Sequence, residues 1–335
     1  MSSPAVYDVC ALGNAIVDIV AEVPEDFVVS HAIPKSGMML VDHATITMLR
    51  RSVKTARAVR AGGGSGNMVA GIASFGGKAA YIGKIAHDEI GNLFSADLKK
   101  LGVDFPIPPL MRGGAASGLC MAFVTPGGDR SMCTFLGASV ELDAADIDGG
   151  AIRAAQVTYL EGYMLDRIGT KLALMAAADA ARGSDRRVAL ALCDPGCVER
   201  NRADFLELVR GKTDILFANE RELLTLFPSA TLDQAIAELK RHVQIGVVTR
   251  SDKGSIVVDR SRHFTVPAEP IAQVVDKTGA GDAYAAGFLF GLARSFDLTL
   301  CARLGAIAAA EAISHYGPRP EQSLAALARQ KGALL

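Results

Sequence analysis

Asp276-Lys277-Thr278-Gly279-Ala280-Gly281-Asp282 is the stretch of this chain whose residue types most directly suggest chemistry. Small residues lead into a helix-like run, which would turn backbone N–H groups at a helix start toward a ligand. Such amides attract phosphate oxygens. Asp282 stands at the head of that run. A carboxylate has no structural need to lie in an anion site, but it makes sense as a base that takes a proton from a hydroxyl attacking the phosphate. The segment points to phosphoryl transfer to an alcohol. The plainer alternative is a glycine-rich loop with Asp282 serving only as helix N-cap. A strand expected at residues 271–275, just before the turn, favours the first reading.

Three other groups of residues carry weaker signals. Gly62-Gly63-Gly64-Ser65-Gly66-Asn67 is a second glycine-rich loop before a helix. It does not fit Gly-x-Gly-x-x-Gly, because Asn67 takes the place of the third Gly, so a dinucleotide site is disfavoured. What remains is close approach to a polar ligand, with the Asn67 amide on hydroxyls, or a plain tight turn with an Asn cap. Asn219-Glu220-Arg221-Glu222 follows an apolar strand at residues 214–218 and has the groups to hold waters around Mg²⁺. Taken alone, it reads better as a capping pattern that opens a helix. Asn14 and Asp18 flank Ala15-Ile16-Val17. A carboxylate in a strand wants a polar partner, which a sugar diol supplies; a turn Asn and an edge-strand Asp are the alternative. No P-loop and no protein-kinase signature set is present. Cys193 and Cys197 have a metal-like spacing but no second Cys/His pair nearby, and read as ordinary thiols.

The elements that must position these residues alternate. Short apolar runs at 9–12, 16–20 and 38–41 read as strands separated by loops. A helix is expected after Asn67, a strand at 79–82, a helix at 88–100 and a hairpin formed by 119–125 and 131–135 around Pro126-Gly127-Gly128. From about residue 152, strands at 157–160, 188–192, 215–218 and 246–249 alternate with helices, one of them at 171–181. This implies a mainly parallel sheet covered on both faces. The remainder is helical, at 283–294, 300–315 and 322–329. The β-rich stretches 14–42 and 114–135, with no helices between their strands, would form a small lid over the main sheet.

Composition narrows the function class. The 335 residues are 50% hydrophobic and carry a formal charge of -1, enough chain for a large core and no support for nucleic-acid or membrane-surface binding. The first residues lack a basic leader, no apolar run spans a bilayer, and the cysteines sit in apolar contexts. These features suggest reduced thiols in a cytoplasmic protein.

In this order, the four motifs resemble the PfkB (ribokinase-like) carbohydrate and nucleoside kinase family. Gly62-Gly63 through Asn67 and on to Gly91 is similar to that family's first signature, and the stretch from Asp276 to Asp282 to its second. Gly13-Asn14-Ala15-Ile16-Val17-Asp18-Ile19 and Asp214-Ile215-Leu216-Phe217-Ala218-Asn219-Glu220 resemble motifs of its adenosine-kinase branch. The resemblance implies a single ribokinase-like domain over 1–335, an α/β/α sandwich with a β lid formed by about 14–42 and 114–135. The implied reaction moves the ATP γ-phosphoryl group to the 5′-hydroxyl of adenosine, or to a sugar such as ribose or fructose. Asp282 would be the base, with Gly279, Ala280 and Gly281 as the anion hole. Asn14, Asp18, Gly62, Gly63 and Asn67 would grip sugar hydroxyls. Arg130 would lie near the phosphate path (a solvated hairpin charge is the alternative), and Tyr163 would pack on a purine. ATP would meet Asn219, Thr249, Gly254 and Thr278, with its base near Ala308, Glu311 and His315, and Mg²⁺ would be held by Glu222 through water. A monovalent cation such as K⁺ is a further candidate, at carbonyls around Asp276 and Thr278. Partners would be small molecules, and the protein a monomer or a homodimer through the lid.

Overall fold

Along the strand Tyr7–Leu12, Val9 and Ala11 enter one hydrophobic core while Cys10 and Leu12 enter another. Successive side chains of a strand point to opposite faces, so this strand is covered on both sides. The computed structural model describes residues 5–35, 37–111, 113–127, 130–147 and 149–333. Gly128 and Asp129, in the expected hairpin turn, lie outside the described residues, as do the first four residues.

The strands in chain order are β1 (Tyr7–Leu12), β2 (Ile16–Glu22), β3 (Met38–Leu40), β4 (Ala58–Gly62), β5 (Ala79–Ile82), β6 (Gly118–Val124), β7 (Arg130–Phe135), β8 (Ala155–Glu161), β9 (Arg187–Ala191), β10 (Ile215–Asn219), β11 (Ile245–Thr249), β12 (Ser255–Asp259) and β13 (His263–Val266). The larger sheet has the order β13-β12-β11-β10-β9-β8-β1-β5. Pairing is parallel from β5 to β11 and antiparallel for β12 and β13. The chain leaves β1 on one side toward β5 and later returns on the other side with β8. Strand order therefore reverses at β1/β8, and in open α/β sheets ligands bind at the carboxyl ends of strands at such a point. One face carries the helices Gly64–Ser74, Ala280–Ala293, Leu298–Ala312 and Leu324–Gln330; the other carries Ile168–Arg182, Arg202–Gly211, Glu220–Leu226 and Leu232–Leu239. This is the expected α/β/α sandwich.

A second sheet has the order β3-β7-β6-β2-β4. It uses the two stretches expected to form a lid and adds β4, which the reading of the sequence left out. Four other expectations need correction. The stretch 14–42 contains a helix, Glu25–Ser30, opened by Pro24 with Glu25 and Asp26 in its first turn; fixed φ and early acidic residues favour a helix start. Residues 271–275 form no strand: the Val275 amide bonds instead to the carbonyl of Ile313, at the end of Leu298–Ala312. The helix expected after Asn67 begins earlier, at Gly64. Asp18 is on an interior strand, β2, between β6 and β4, and is not an edge residue.

Candidate active site

The helix Ala280–Ala293 is apolar on every side, and its residues from Ala283 to Gly291 are buried. Such a helix belongs inside the core, and only its first turn remains free to meet a ligand. Gly279 precedes it at φ 75, in the left-handed region, and no side chain caps the helix. A Cβ on Gly279 would stand 2.4 Å from Cβ of Pro318, so both conformation and space demand glycine there. A Cβ on Gly281 would meet nothing within 4 Å. Uncapped amides beside open space suit an anion, and the residues present therefore fit a phosphate group.

Asp282 lies in this first turn. Asn67, on the neighbouring helix Gly64–Ser74, donates from Nδ2 to its Oδ2 at 3.0 Å across 215 residues of sequence. The Asn67 Oδ1 is buried with no hydrogen-bond partner, so a ligand hydroxyl has an acceptor there. A Cβ on Gly64 would come within 3.2 Å of the Asp282 carboxylate, and one on Gly63 (φ +75) within 2.3 Å of the Asn14 carbonyl. The bare loop thus lets the ends of β1, β4 and the helix Ala280–Ala293 meet. Burial pushes the Asp282 carboxyl up to about 7; Asn67 opposes the shift, and the charges of Glu161, Asp18 and Glu222 add to it.

Glu161, the last residue of β8, is at the centre of the loop's support, and the reading of the sequence gave it no role. It accepts from the Ser65 amide at 2.8 Å and from both the backbone and side-chain nitrogens of Asn14, at 3.4 and 3.3 Å. It is 2% exposed, and burial raises its carboxyl above the ordinary range despite these donors. The available signal was an acid ending a largely buried parallel strand.

Asp18 is half-buried on β2 with its carboxylate against Gly62, whose Cβ position it nearly fills at 2.2 Å. Burial raises it to about 6, opposed by the guanidinium groups of Arg130 and Arg319. Arg130 is no solvated hairpin charge. Its guanidinium forms an ion pair with Asp276, with side-chain exposures of 12% and 6%. Asp276 also accepts from the amides of Thr278 at 3.0 Å and Gly317 at 3.0 Å. Burial pushes Asp276 upward, but Arg130 and these amides outweigh it and hold the carboxyl below its usual value. This carboxylate is committed to donors within the protein.

Asn219 and Glu222 form a reciprocal capping box at the start of Glu220–Leu226, as their spacing suggested. Glu222 accepts from the Asn219 amide at 2.9 Å and from its Nδ2 at 2.6 Å. Burial raises Glu222 to about 7, with Asp194 adding to the shift and the Asn219 amide opposing it. The charges of Glu161, Asp18 and Glu222 add to the raising of Asp282, a local excess of negative charge that a cation would offset, and Mg²⁺ needs few protein groups. The residues present fit Mg²⁺ held through water. Thr249 ends β11, and Gly254 (φ +79) turns the chain into β12.

Of the residues expected beside the two bases, Ala308, Glu311, His315 and Tyr163 all have neighbours within the protein. Ala308 is fully buried in the core and offers no surface to a base. Glu311 takes the amides of Glu321 and Gln322 at 2.9 and 3.0 Å and pairs with His315 at 3.2 Å, which holds His315 above its ordinary pKa. Tyr163 is half-buried and packs against the core on the side of Arg202–Gly211. Cys193 is half-buried and the other cysteines are buried, with no disulfide among them. No helix among the described residues is long and apolar enough to cross a membrane.

The fold, with a carboxylate in a helix start that fits phosphate, is that of a phosphotransferase whose acceptor is an alcohol. The chain belongs to the pfkB family of carbohydrate kinases, whose model matches residues 33–324. It is 43% identical to the adenosine kinase from Sinorhizobium meliloti, with a TM-score of 0.90 over 98% of this chain and 100% of that one. It is 38% identical to a probable sugar kinase from Rhizobium etli CFN 42, with a TM-score of 0.91 over the same shares. Adenosine kinase from Saccharomyces cerevisiae is 25% identical over 95% of this chain and 97% of that protein. The family implies the use of ATP.

Proposed function

We propose that this kinase transfers the γ-phosphoryl group of ATP to the 5′-hydroxyl of adenosine, or of a closely similar nucleoside, in the cytoplasm. The observation that carries this reading is the Asp282 carboxylate, set in the uncapped first turn of Ala280–Ala293 and held by Asn67.

Asp282 takes the proton of the acceptor hydroxyl late, as the bond to phosphorus forms. A base works best when its pKa lies near the working pH, and Asp282 is raised to about 7. The amides of Gly279, Ala280 and Gly281 face the transferred group, and electrostatic stabilisation there is the main source of rate in phosphoryl transfer. Asn14, Asp18, Gly62, Gly63 and Asn67 bind the ribose, with Asp18 accepting from two adjacent hydroxyls. Tyr163 borders the purine. Arg130 lies along the phosphate path, and Asn219, Thr249, Gly254 and Thr278 border the nucleotide. His315 borders the ATP base, next to Glu311. Glu222 and Asn219 would hold Mg²⁺ through water, and the ion, when bound, offsets charge on the transferred group. The second sheet closes over the acceptor and excludes water, which limits hydrolysis of ATP. The chain acts as one domain, a monomer or a homodimer through that sheet.

A free sugar is the second reading. It is favoured by the likeness to the Rhizobium etli protein and by Tyr163, which packs into the core. A panel of nucleosides and sugars with ATP and Mg²⁺, read by ADP formation, decides between them. Adenosine is expected to be phosphorylated. Turnover of ribose or fructose with none of adenosine would contradict the proposed acceptor.

A further inference from the structure

Arg319 lies in the loop that follows Leu298–Ala312, far along the chain from the acceptor loop, yet its side chain ends beneath that loop. It is 8% exposed. Its guanidinium donates to the carbonyl of Ala61, and its Nη1 lies 3.6 Å from Oδ2 of Asp97, on the helix Glu89–Lys100. The same Asp97 oxygen accepts from the Ala61 amide at 3.0 Å. One charge pair, with Arg319 buried and Asp97 half-buried, therefore takes both backbone polar groups of a single residue. Ala61 is the last residue before the triple glycine, on β4, an edge strand of the lid sheet. The guanidinium also reaches under the loop itself, where a Cβ on Gly66 would be 3.7 Å from Nη2.

The loop that carries Arg319 is fastened to the phosphate side. Pro318, its neighbour, packs on Gly279. The Gly317 amide donates to Asp276, which in turn pairs with Arg130 from the lid hairpin. Glu311 fixes the loop's far end through the amides of Glu321 and Gln322. The turn before Ala280–Ala293 and the turn before Gly64–Ser74 thus share one short, fastened segment. A lysine in place of Arg319 would present a single ammonium and lose the planar fork that meets a carbonyl and a carboxylate together.

We propose that Arg319 is a positioning residue that couples the nucleotide side of the site to the acceptor loop, so that nucleotide binding at the Gly279 turn orders residues 61–67 and the base of the lid. This rests on reading the Gly279 turn as a phosphate cradle. It assigns Arg319 no contact with either substrate. Nucleotide occupancy fixes the Gly279–Pro318 contact, Arg319 carries the constraint to Ala61, and the loop that presents Asn67 and Gly63 becomes ordered.

The test is amide hydrogen exchange on the full chain with and without Mg²⁺ and the non-hydrolysable analogue AMP-PNP, for wild type, Arg319→Gln and Arg319→Lys. In wild type the analogue should slow exchange at 279–283 and also at 61–67, the latter by roughly fivefold or more, the lower end of ordinary coupling between sites. In Arg319→Gln, protection at 279–283 should persist while the effect at 61–67 falls away. A purely structural role would speed exchange in both states and leave the nucleotide-induced difference intact. If Arg319→Gln does not fold, Arg319→Lys decides alone, with an expected loss of more than half of the effect at 61–67. Equal nucleotide-induced protection of 61–67 in the folded variant and wild type overturns the inference, as does its absence in wild type with 279–283 protected. Absence of protection at 279–283 in wild type contradicts the cradle reading itself, and the inference falls with it.

Discussion

At the scale of single residues, the account turns on carboxylates that burial has pushed toward neutrality. Asp282 and Glu222 are raised to about 7 and Asp18 to about 6. A base must be ionised to accept a proton, so kcat/KM for the acceptor should rise tenfold per pH unit below about 7 and level off above it. A profile flat from pH 5 to 8 would mean that no group of this pKa limits the reaction. These residues differ in how readable they were. Asp282, Asn67 and Asn14 could be picked out because a polar group in a glycine-rich or apolar run needs a partner, and the fold joins all three. Glu161 could not, since one acid closing a strand is common, and only the fold shows that Ser65 and Asn14 converge on it.

At the scale of elements, close contacts that a Cβ would break demand glycine in both turns. Gly279→Ala places a Cβ in the left-handed region, at a cost of about 1–2 kcal/mol, and against Pro318. The turn must shift, and its amides with it. Loss of a single oxyanion donor lowers kcat by about a hundredfold or more, and a comparable loss is expected here, measured as steady-state kcat with thermal melting to confirm the fold. Full activity would show that the turn does not shape the phosphate site. The strands of the main sheet were legible because parallel, doubly covered strands are continuous apolar runs bounded by turns. β4 and the helix Glu25–Ser30 were not, because both are short, the helix is largely exposed, and their order comes from the neighbours they meet. Residues 271–275 look like a strand for the same compositional reason, yet the end of Leu298–Ala312 takes the Val275 amide.

At the scale of the whole molecule, the site is held at the expense of stability. A carboxyl whose folded-state pKa lies above its unfolded value gives the fold stability that is complete below the unfolded pKa, roughly 4, and is lost as pH rises through the folded value. For Asp282 that window runs from roughly 4 to about 7. Asp282→Asn should therefore melt near the wild-type temperature at pH 5 and a few degrees above it at pH 8, the usual direction when an active-site charge is removed. A difference that does not grow with pH would deny the strain assigned to this carboxylate. The same variant gives the most direct measurement of the central claim. With ATP, Mg²⁺ and adenosine, Asp282→Asn should bind AMP-PNP as wild type does and form ADP on the order of a hundredfold more slowly or worse. Turnover within a few-fold of wild type would contradict the assignment of Asp282 as the base and, with it, this account of the site.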